Sequence, residues 1–380
     1  MKTPDPLSLL VVGVHQSTDA YPNTLYRVRQ LRGLGGHEVN YPMWSTPVGG
    51  WGSISSPWKT LWRVIASHVR VAWAVVRESR YCCLYVPYPA PLVVYLLSLL
   101  PRRSNRIIVD GFISLYDTVI NDRKLWSPNA LPSRLLYALE RSAFAKVDLV
   151  LVDTRQNAAF YADLFRLPAK RFLALPLATN EEDYTYTPYQ AMVGRCRVLF
   201  IGTLVPLHGV DILAEAARRL ICRGDIEFRI LGDGAGAPAL QSRISGLPNV
   251  KWQRRWHTAE ELAAEIRQAD ICLGIFGDTA KTQRVCPYKL YSYASVGRAV
   301  ITGDTDWLRS VALPDGLAPF LSVSVGDPDA LAEAIRILAD APGQRLRLAK
   351  AARHFYVSRL SNEKSMKMLK RVMFANTKNS

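Results

Sequence analysis

The sequence of 380 residues lacks the patterns that mark several common classes of protein. Its six cysteines form no C-x-x-C pair, which excludes the usual structural zinc spacings and leaves no disulfide framework. The most hydrophobic region, Tyr81 to Leu100, contains three prolines and is therefore too interrupted to span a bilayer as a helix. The short polar segment Met1–Pro6 has no features of a signal peptide. We therefore expect a protein of the reducing cytoplasm with no metal site.

The fingerprint of nicotinamide-binding proteins is also missing. The first predicted strand, Leu7–Val12, is followed by Gly13-Val14-His15-Gln16-Ser17 rather than by a G-x-G-x-x-G turn. This argues against a nucleotide-dependent oxidoreductase. No internal repeat or low-complexity tract is visible, and charged residues at 21% and hydrophobic residues at 49% are typical of folded domains.

Acidic residues are too few to balance the basic ones, and the formal net charge is +16. A chain this basic attracts polyanions, which include nucleic acid, anionic lipid headgroups and diphosphate-bearing substrates. Charge alone does not choose among them. A nucleic-acid-binding protein would explain the charge but not two complete α/β halves with glycine loops at their strand ends, so we expect no nucleic-acid partner.

Both halves of the chain alternate apolar strands with amphipathic helices, which predicts two parallel, doubly wound sheets. The polar segment Thr179–Gly194 is the predicted joint, so we predict Rossmann-like domains over 1–180 and 190–352. A terminal helix within 353–380 is predicted to pack back on the first domain. The predicted strands of the first half are Leu7–Val12, Tyr81–Val86, Arg106–Val109, Leu149–Val152 and Phe172–Ala174, and those of the second half are Arg197–Ile201, Glu227–Leu231, Val250–Trp252, Ile271–Gly274 and Ala299–Thr302.

Three cations surround a predicted helix start within Asp270–Asp304. Lys281 and Arg284 lie in a polar loop, and Lys289 opens the helix that follows Pro287. A helix N-terminus offers free backbone N–H groups and the positive end of a dipole, so anions bind there readily. The segment is therefore either a seat for a diphosphate or a solvated basic loop.

Glycine-rich loops follow two strands of the second half. One loop contains Gly202, Thr203, His208 and Gly209, and the other is Gly232-Asp233-Gly234. Glycine lets the backbone approach a ligand closely, although tight turns after strands use it as well. His208 either donates a hydrogen bond to a phosphate oxygen or is a loop histidine with no ligand.

The order of these motifs resembles glycosyltransferase family 4, the retaining enzymes of the GT-B fold. Besides the glycine loops, the resemblance rests on Asn249-Val250-Lys251-Trp252, Ala269-Asp270-Ile271, Pro287-Tyr288-Lys289 and Gly297-Arg298-Ala299-Val300, and the tail Leu360–Ser365 resembles the family's terminal helix. It implies an α/β fold in which two doubly wound Rossmann-like domains face a central cleft. The first would bind the acceptor and the second a nucleotide-sugar. The implied donor-binding residues are Gly202, Thr203, His208, Gly209, Gly232, Asp233, Lys281, Arg284, Lys289 and Ser292.

Two departures from the family pattern bear on activity. The family places an arginine and a lysine where Thr203 and His208 stand, and two glutamates where Arg284 and Ser292 stand. The carboxylate expected on the donor ribose is therefore missing, which leaves the nucleotide open. Neighbouring cations, Lys289 among them, would supply the missing positive charge. The resemblance implies stabilisation of the departing diphosphate by such groups, with no metal and no cofactor, since the nucleotide-sugar is a substrate.

A polar loop after the predicted strand Arg106–Val109, which runs from Asp110 to Lys124, looks like the acceptor-side loop of one subgroup. Its aspartates and its arginine either hold or polarise acceptor hydroxyls, or serve as helix caps and a surface ion pair. From this loop we predict catalytic roles for Asp117, Asp122 and Arg123. We predict a fourth for His15, which follows the first strand, where a capping or packing role fits equally well.

The predicted helix Pro57–Arg77 mixes tryptophans and cations at helical spacing. Such a helix either lies in an anionic membrane interface or packs its tryptophan face into the core. Together with the net charge, it favours a peripheral enzyme on the inner face of the cytoplasmic membrane.

The sequence thus predicts a retaining glycosyltransferase that moves a sugar from a nucleoside-diphosphate-sugar to a saccharide acceptor, lipid-linked, in cell-surface or exopolysaccharide synthesis. The alternative is a catalytically inactive GT-B-like partner or nucleotide-binding subunit of a glycosylation complex. The missing glutamates fit this alternative.

Overall fold

The computed structural model describes residues 8–18, 21–42, 57–77, 81–99, 106–177, 179–191, 194–311 and 318–374. These divide into two compact units. The first unit comprises the chain up to Ala178 together with the chain from Glu363 onward, and the second unit is Thr179–Asn362. Parts of the predictions lie outside the described residues. These include Met1–Pro6, the first residue of the predicted strand Leu7–Val12, the last residue of the apolar region (Leu100), and 375–380.

The first unit is built on a six-stranded parallel sheet with the strand order β2-β1-β3-β4-β5-β6. Its inner strands are nearly continuous apolar runs, because helices cover both faces of a parallel sheet. The strands are β1 (Leu9–Gly13), β2 (His37–Asn40), β3 (Cys83–Val86), β4 (Arg106–Asp110), β5 (Leu149–Val152) and β6 (Phe172–Ala174). The helices between them are α1 (Pro22–Gly33), α2 (Pro57–Arg77), α3 (Pro91–Leu97), a π-helix (Asp117–Asp122), α4 (Leu131–Lys146), α5 (Arg155–Phe165) and a 3₁₀ turn (Ala169–Arg171).

The second unit repeats this plan with the strand order β12-β11-β10-β7-β8-β9, again parallel throughout the described pairs. Its strands are β7 (Cys196–Ile201), β8 (Ile226–Leu231), β9 (Val250–Gln253), β10 (Ile271–Leu273), β11 (Ala299–Gly303) and β12 (Leu321–Val323). Its helices are a 3₁₀ turn (Pro206–His208), α6 (Val210–Arg219), α7 (Ala237–Ile244), α8 (Ala259–Arg267), α9 (Tyr288–Val296), α10 (Asp306–Arg309), α11 (Pro328–Asp340), α12 (Pro342–Phe355) and a π-helix (Tyr356–Leu360).

The last helix, α13 (Asn362–Phe374), returns to the first unit. Leu369 and Met373 are buried in the same apolar cluster as Leu9 of the first strand. The Arg27 guanidinium of α1 donates a hydrogen bond to Ser365 Oγ at 3.2 Å. The core of the first unit is therefore completed by a segment that follows the whole second unit in the chain.

The predicted fold class, two doubly wound parallel sheets, is confirmed, and every predicted strand is present. The sequence did not predict β2 or β12, which are short edge strands, and β2 is polar and partly exposed. Such strands carry a weak apolar signal because only part of their surface is buried. Helices α11 and α12 were not predicted either.

The segment that joins the units is fixed to the second unit by a buried polar cluster. Tyr189 Oη donates to Asp270 Oδ1 at 2.6 Å and accepts from Arg345 Nε at 2.6 Å. A carboxylate, a phenol and a guanidinium thus satisfy one another out of water, as buried charged groups must. Nearby, Glu181 Oε1 accepts hydrogen bonds from Tyr356 Oη and from the Asn362 backbone N–H, both at 2.9 Å.

Within the described part of the chain, no helix combines the length and the apolar character needed to cross a bilayer. The apolar region from Tyr81 forms β3, as predicted, followed by the short helix α3.

Candidate functional site

The strand order of the second unit reverses between β7 and β10. Chain connections leave β7 towards β8 and β9 on one side, and then cross to β10 and β11 on the other. In open α/β sheets, ligands bind outside the carboxyl ends of the strands at such a reversal. Gly202 follows β7 here, and Gly274 follows β10, so these two positions mark the candidate site.

Two glycine loops meet backbone to backbone at this edge. A β-carbon at Gly232 would lie 2.0 Å from the carbonyl oxygen of Gly202, and one at Gly234 would lie 1.8 Å from that of Thr203. No other residue fits there without separating the loops. Asp233, between these glycines, accepts from the Gly234 N–H at 2.8 Å and from Arg254 Nε at 3.0 Å. The loop geometry explains the glycine pattern without a ligand, and Asp233 shapes its own turn.

His208 and Lys289 converge over Gly202. A β-carbon at Gly202 would lie 2.8 Å from the His208 ring and 3.0 Å from Lys289 Nζ, so only glycine leaves room for the two side chains. Lys289 Nζ donates to the Gly274 carbonyl at 3.3 Å and lies 3.9 Å from the centre of the Phe200 ring. The His208 ring meets the same Phe200 ring edge to face, with centroids 5.6 Å apart. This group (Phe200, Gly202, His208, Gly274 and Lys289) is called the basic cluster below.

The basic cluster contains two buried groups that are cationic when protonated. Lys289 is 8% exposed and His208 is 7% exposed. Burial lowers the pKa of the Lys289 ammonium well below its ordinary value, and burial together with Lys289 lowers the pKa of the His208 imidazole. His208 Nδ1 has no hydrogen-bond partner among the described residues. An anion bound here would stabilise the protonated forms and raise both pKa values.

Helix α9 begins beside this cluster. Pro287 is its N-cap residue and offers no side-chain cap, and the first turn contains no acidic residue. Its free backbone N–H groups and dipole therefore add positive potential where Lys289 lies. Tyr293 Oη, one turn on, accepts from the Ile201 backbone N–H at 3.0 Å and thereby fixes α9 to the end of β7. Sequence reasoning missed Phe200 and Tyr293, because neither differs in pattern from a core aromatic.

The remaining predicted donor-site residues lie in three environments. Thr203 is exposed, and Gly209 directly precedes α6. Arg284 is buried, with its guanidinium donating to the Ala280 carbonyl at 3.2 Å, whereas Lys281 is half-buried in the same loop. Ser292 is buried within α9. The structure thus brings His208 and Lys289 together over Gly202, whereas the Arg284 guanidinium binds a carbonyl of the loop that contains it.

In the first unit, the predicted catalytic residue His15 is fully buried after β1. His15 Nε2 lies 3.1 Å from Glu38 Oε1 of β2, and its backbone carbonyl accepts from Asn40 Nδ2 at 3.0 Å. Burial opposes ionisation of Glu38, but His15 and Arg32 outweigh it and lower the Glu38 pKa. These contacts join the loop after β1 to the edge strand β2.

A buried glutamate that the sequence did not single out orders the predicted acceptor loop. Glu140 of α4 accepts from the Leu115 and Tyr116 backbone N–H groups at 2.8 and 2.9 Å, and from Ser114 Oγ at 2.8 Å. Burial raises the pKa of Glu140 to about 7, although these hydrogen bonds lower it. Its carboxylate caps the helical turn at residues 115–122. The only indication of this role in the sequence is that Glu140 lies on the buried side of its helix.

The three predicted acceptor-loop residues differ in exposure. Asp117 is fully buried and accepts from Asn121 Nδ2 at 3.1 Å, while its own backbone N–H donates to Ser114 Oγ. Asp122 is half-buried and Arg123 is exposed. Among the described residues, no group of three or more histidine, cysteine, aspartate or glutamate side chains is placed to hold a metal ion.

Helix α2 presents an apolar stripe to solvent. Trp62 and Trp73 are 69% and 62% exposed, and the stripe continues through further exposed side chains at helical spacing. The Arg77 guanidinium lies 4.4 Å from the centre of the Trp73 ring. The sequence left two alternatives for this helix, contact with a membrane interface or packing of its tryptophans into the core. The two tryptophans whose side chains are described do not pack into the core. The remaining members of the stripe are Ile65, Val69 and Val76.

Comparison with known proteins matches residues 195–341 to the family described as "Glycosyl transferases group 1". The structure is similar to a sucrose-phosphate synthase from Thermosynechococcus elongatus, with a TM-score of 0.71 and 15% identity over 98% of this chain and 100% of that one. It is also similar to a glycosyltransferase from Rickettsia africae (TM-score 0.67, 13% identity, 98% and 99% covered) and to HepE of Anabaena in complex with UDP (0.66, 12%, 97% and 100%). No protein of curated function matches the sequence.

These similarities confirm the resemblance and the GT-B fold expected from the sequence. The matched residues 195–341 lie within the second unit, which holds the basic cluster.

The buried amine of the basic cluster is predicted to lower the stability of the folded protein. Near neutral pH the unfolded chain binds a proton at Lys289 that the folded state binds poorly, so Lys289→Met should raise the unfolding free energy by about 1–2 kcal/mol. For a domain of this size the rise in Tm is about 2–8 °C. The gain should shrink as the pH rises towards 10.5, the ordinary lysine value, because the unfolded chain then releases its proton as well.

Calorimetry of the full chain measures this effect across pH. The matched control is Lys350→Met, at an exposed position of α12, which should leave Tm nearly unchanged. An equal rise in both variants, or no rise in Lys289→Met, would show that burying the Lys289 amine carries no cost.

Proposed function

We propose that the chain is a retaining glycosyltransferase whose second unit binds a nucleoside-diphosphate-sugar at the basic cluster. The observation that carries the proposal is the convergence of His208 and Lys289 over Gly202 at the strand reversal, beside the α9 N-terminus. The group 1 glycosyltransferase match over 195–341 and the UDP in the complex of the similar Anabaena protein support a nucleotide-sugar donor.

The cluster suits a diphosphate that gains negative charge as it leaves. Breaking the sugar–oxygen bond leaves an additional negative charge on the nucleoside diphosphate, and a nearby cation stabilises the transition state in which that charge develops. Lys289 and His208, buried and fixed against Phe200, need little rearrangement to provide it. Arg284 and Lys281 on the preceding loop add positive charge. In this proposal the chain's own groups act on the diphosphate, and no metal or cofactor takes part.

The acceptor is proposed to be a saccharide bound by the first unit, lipid-linked, in the synthesis of cell-surface or exopolysaccharide. Its proposed site lies along the loop that Glu140 orders, with Asp117, Asp122 and Arg123 as catalytic candidates and His15 after β1 as a fourth. The lipid link is supported by the exposed stripe of α2.

The membrane-facing surface is proposed to be the stripe Trp62, Ile65, Val69, Trp73 and Val76 of α2. The sequence of this helix contains no acidic residue, and the exposed arginines at 63, 70 and 77 flank the stripe. Apolar residues that insert at headgroup depth, flanked by cations, bind anionic bilayers. The protein is therefore proposed to act at the inner face of the cytoplasmic membrane, without crossing it.

A second candidate function is a catalytically inactive partner or nucleotide-binding subunit of a glycosylation complex. It is favoured by Arg284 and Ser292, which stand where the resembling family carries glutamates. Nucleotide binding and donor turnover separate the two functions.

Nucleotide binding is the first test, with UDP, GDP and ADP compared by thermal shift. One nucleotide should raise Tm, since a ligand at a hundredfold excess over its Kd stabilises the folded state by about 2.7 kcal/mol. The rise should be lost in Lys289→Met and kept in Lys350→Met. No rise with any nucleotide would remove the donor site, and a rise without turnover would favour the inactive partner.

Retention is tested on the same protein with an α-linked sugar donor that carries the nucleotide identified by thermal shift. In the absence of acceptor, slow hydrolysis should release the α-anomer first, because the leaving diphosphate and the incoming water use the same face of the sugar. Proton NMR distinguishes the anomers before they equilibrate. Initial release of the β-anomer would establish inversion and overturn the retaining assignment.

Membrane binding is tested with vesicles of phosphatidylglycerol and phosphatidylcholine. The double variant Trp62→Ser, Trp73→Ser should weaken co-sedimentation with anionic vesicles by about tenfold or more, because two exposed aromatic side chains no longer insert. The matched control is Trp256→Ser, an exposed tryptophan of the second unit. Equal binding by all variants, or equal binding to pure phosphatidylcholine, would contradict the proposed surface.

A further inference from the structure

The first unit contains a narrow pocket that no predicted site residue lines. It opens at the carboxyl edge of the sheet between α1 and the ends of β3, β4 and β5. Asn23 and Arg27 of α1, one turn apart, form one wall, and Tyr85 and Asp110 form another. Phe112, Leu151 and Val152 at the end of β5, and Leu175 and Leu177 after β6 complete the lining.

The polar atoms around this pocket are buried but not fully satisfied. Tyr85 is fully buried, and its hydroxyl interacts with the Asp110 carboxylate and lowers the pKa of that carboxyl. Asp110, 8% exposed, also accepts a 3.2 Å hydrogen bond from the Phe112 N–H. Asn23 Oδ1 is buried without a hydrogen-bond partner among the described residues. A buried polar atom without a partner in the wall of a pocket indicates a polar occupant.

Arg27, in the wall of the pocket, is held by three hydrogen bonds. Its guanidinium donates to Gln30 Oε1 at 2.8 Å, to Ser365 Oγ at 3.2 Å and to the Pro176 carbonyl at 2.6 Å. Within the described part of the chain Arg27 forms no ion pair with Asp110, although its charge lowers the Asp110 pKa. The carboxylate therefore keeps lone pairs that a ligand can use.

The pocket combines hydrogen-bond acceptors with an apolar wall. Asp110 and the Asn23 carbonyl accept, the Tyr85 hydroxyl donates or accepts, and the leucine and Phe112 side chains offer a surface for C–H groups. A hydroxyl on a sugar ring carbon suits all three features of the lining. Its O–H donates to an acceptor, its oxygen accepts from a donor, and the C–H of the same ring carbon packs against the apolar wall. A phosphate or carboxylate does not, because Asp110 would repel it.

We propose that this pocket binds a hydroxyl-bearing edge of the saccharide acceptor, with Asp110 as the specificity-determining residue. The proposal rests on the proposed function and deepens it. It also distinguishes among the aspartates of the acceptor loop: Asp117 is enclosed by its own helical turn, whereas Asp110 lines the pocket.

The test uses the full chain and saturation-transfer NMR with methyl glycosides of glucose, galactose, mannose and rhamnose as probes. At least one probe should bind the wild type, and Asp110→Asn should weaken it by about tenfold, which is the loss of one charge-assisted hydrogen bond. Asp163→Asn, at an exposed position of α5, should bind as the wild type does. Asn23→Ala provides a second, less buried variant, and circular dichroism checks that each variant is folded.

The pH dependence gives a second readout. Burial raises the pKa of Asp110 to about 6, with Arg27 and Tyr85 lowering it and Asp153 raising it. Probe binding by the wild type should therefore weaken as the pH falls below about 6, and binding by Asp110→Asn should not change there.

Two outcomes overturn the proposal. One is equal probe binding by the wild type, Asp110→Asn and Asn23→Ala. The other is no binding of any probe while UDP, GDP or ADP still raises Tm, which would leave the donor site intact and remove only this acceptor pocket. Loss of the nucleotide response itself would instead count against the proposed function.

Discussion

The second unit depends on a buried amine that no acidic side chain of the described residues neutralises. Lys289 contacts a carbonyl oxygen and an aromatic face, and its other close neighbour is His208, which is itself cationic when protonated. Neither contact replaces the hydration of an ammonium, so this arrangement costs stability in the absence of a ligand. Buried cations that destabilise the free protein in this way are common in anion-binding sites, because the bound anion stabilises their charge. The glycine loops, the α9 start and Phe200 all serve to hold these two side chains in place.

The strand order explains why these groups meet. The sheet register aligns Phe200 of β7 with Leu273 of β10, so the residues that follow both strands lie at the same edge. Helix α9 then places Lys289 over that edge. The Tyr293 hydroxyl accepts a hydrogen bond from the Ile201 backbone N–H and so fixes the position of α9 against the end of β7. A doubly wound sheet thus brings together residues nearly ninety positions apart in the chain without any long loop.

Much of this was visible in the sequence, and the rest was hidden for physical reasons. The inner strands and Lys289 with its helix start were predicted, because apolar runs and a cation after a proline leave local signals. The role of Glu140 was not, since its three hydrogen bonds reach residues about 25 positions away. Asp110 and Asp117 looked alike in the sequence, and only the packing of α1 and of the π-helix separates a carboxylate that lines a pocket from one enclosed by its own turn. The exposure of Trp62 and Trp73 likewise depends on which face of α2 meets the sheet.

The return of α13 to the first unit has a consequence for the order of folding during synthesis. The second unit consists of one continuous segment, 179–362, and all its strands have emerged before α13 is made. The first unit is synthesised earlier, but Leu369 and Met373 of its apolar cluster arrive last. Domains fold as units when their segments are complete. The half of the protein that the ribosome makes first is therefore the half that finishes folding last, and its exposed apolar surface must be tolerated, or shielded by chaperones, for the whole time that the second unit is being built.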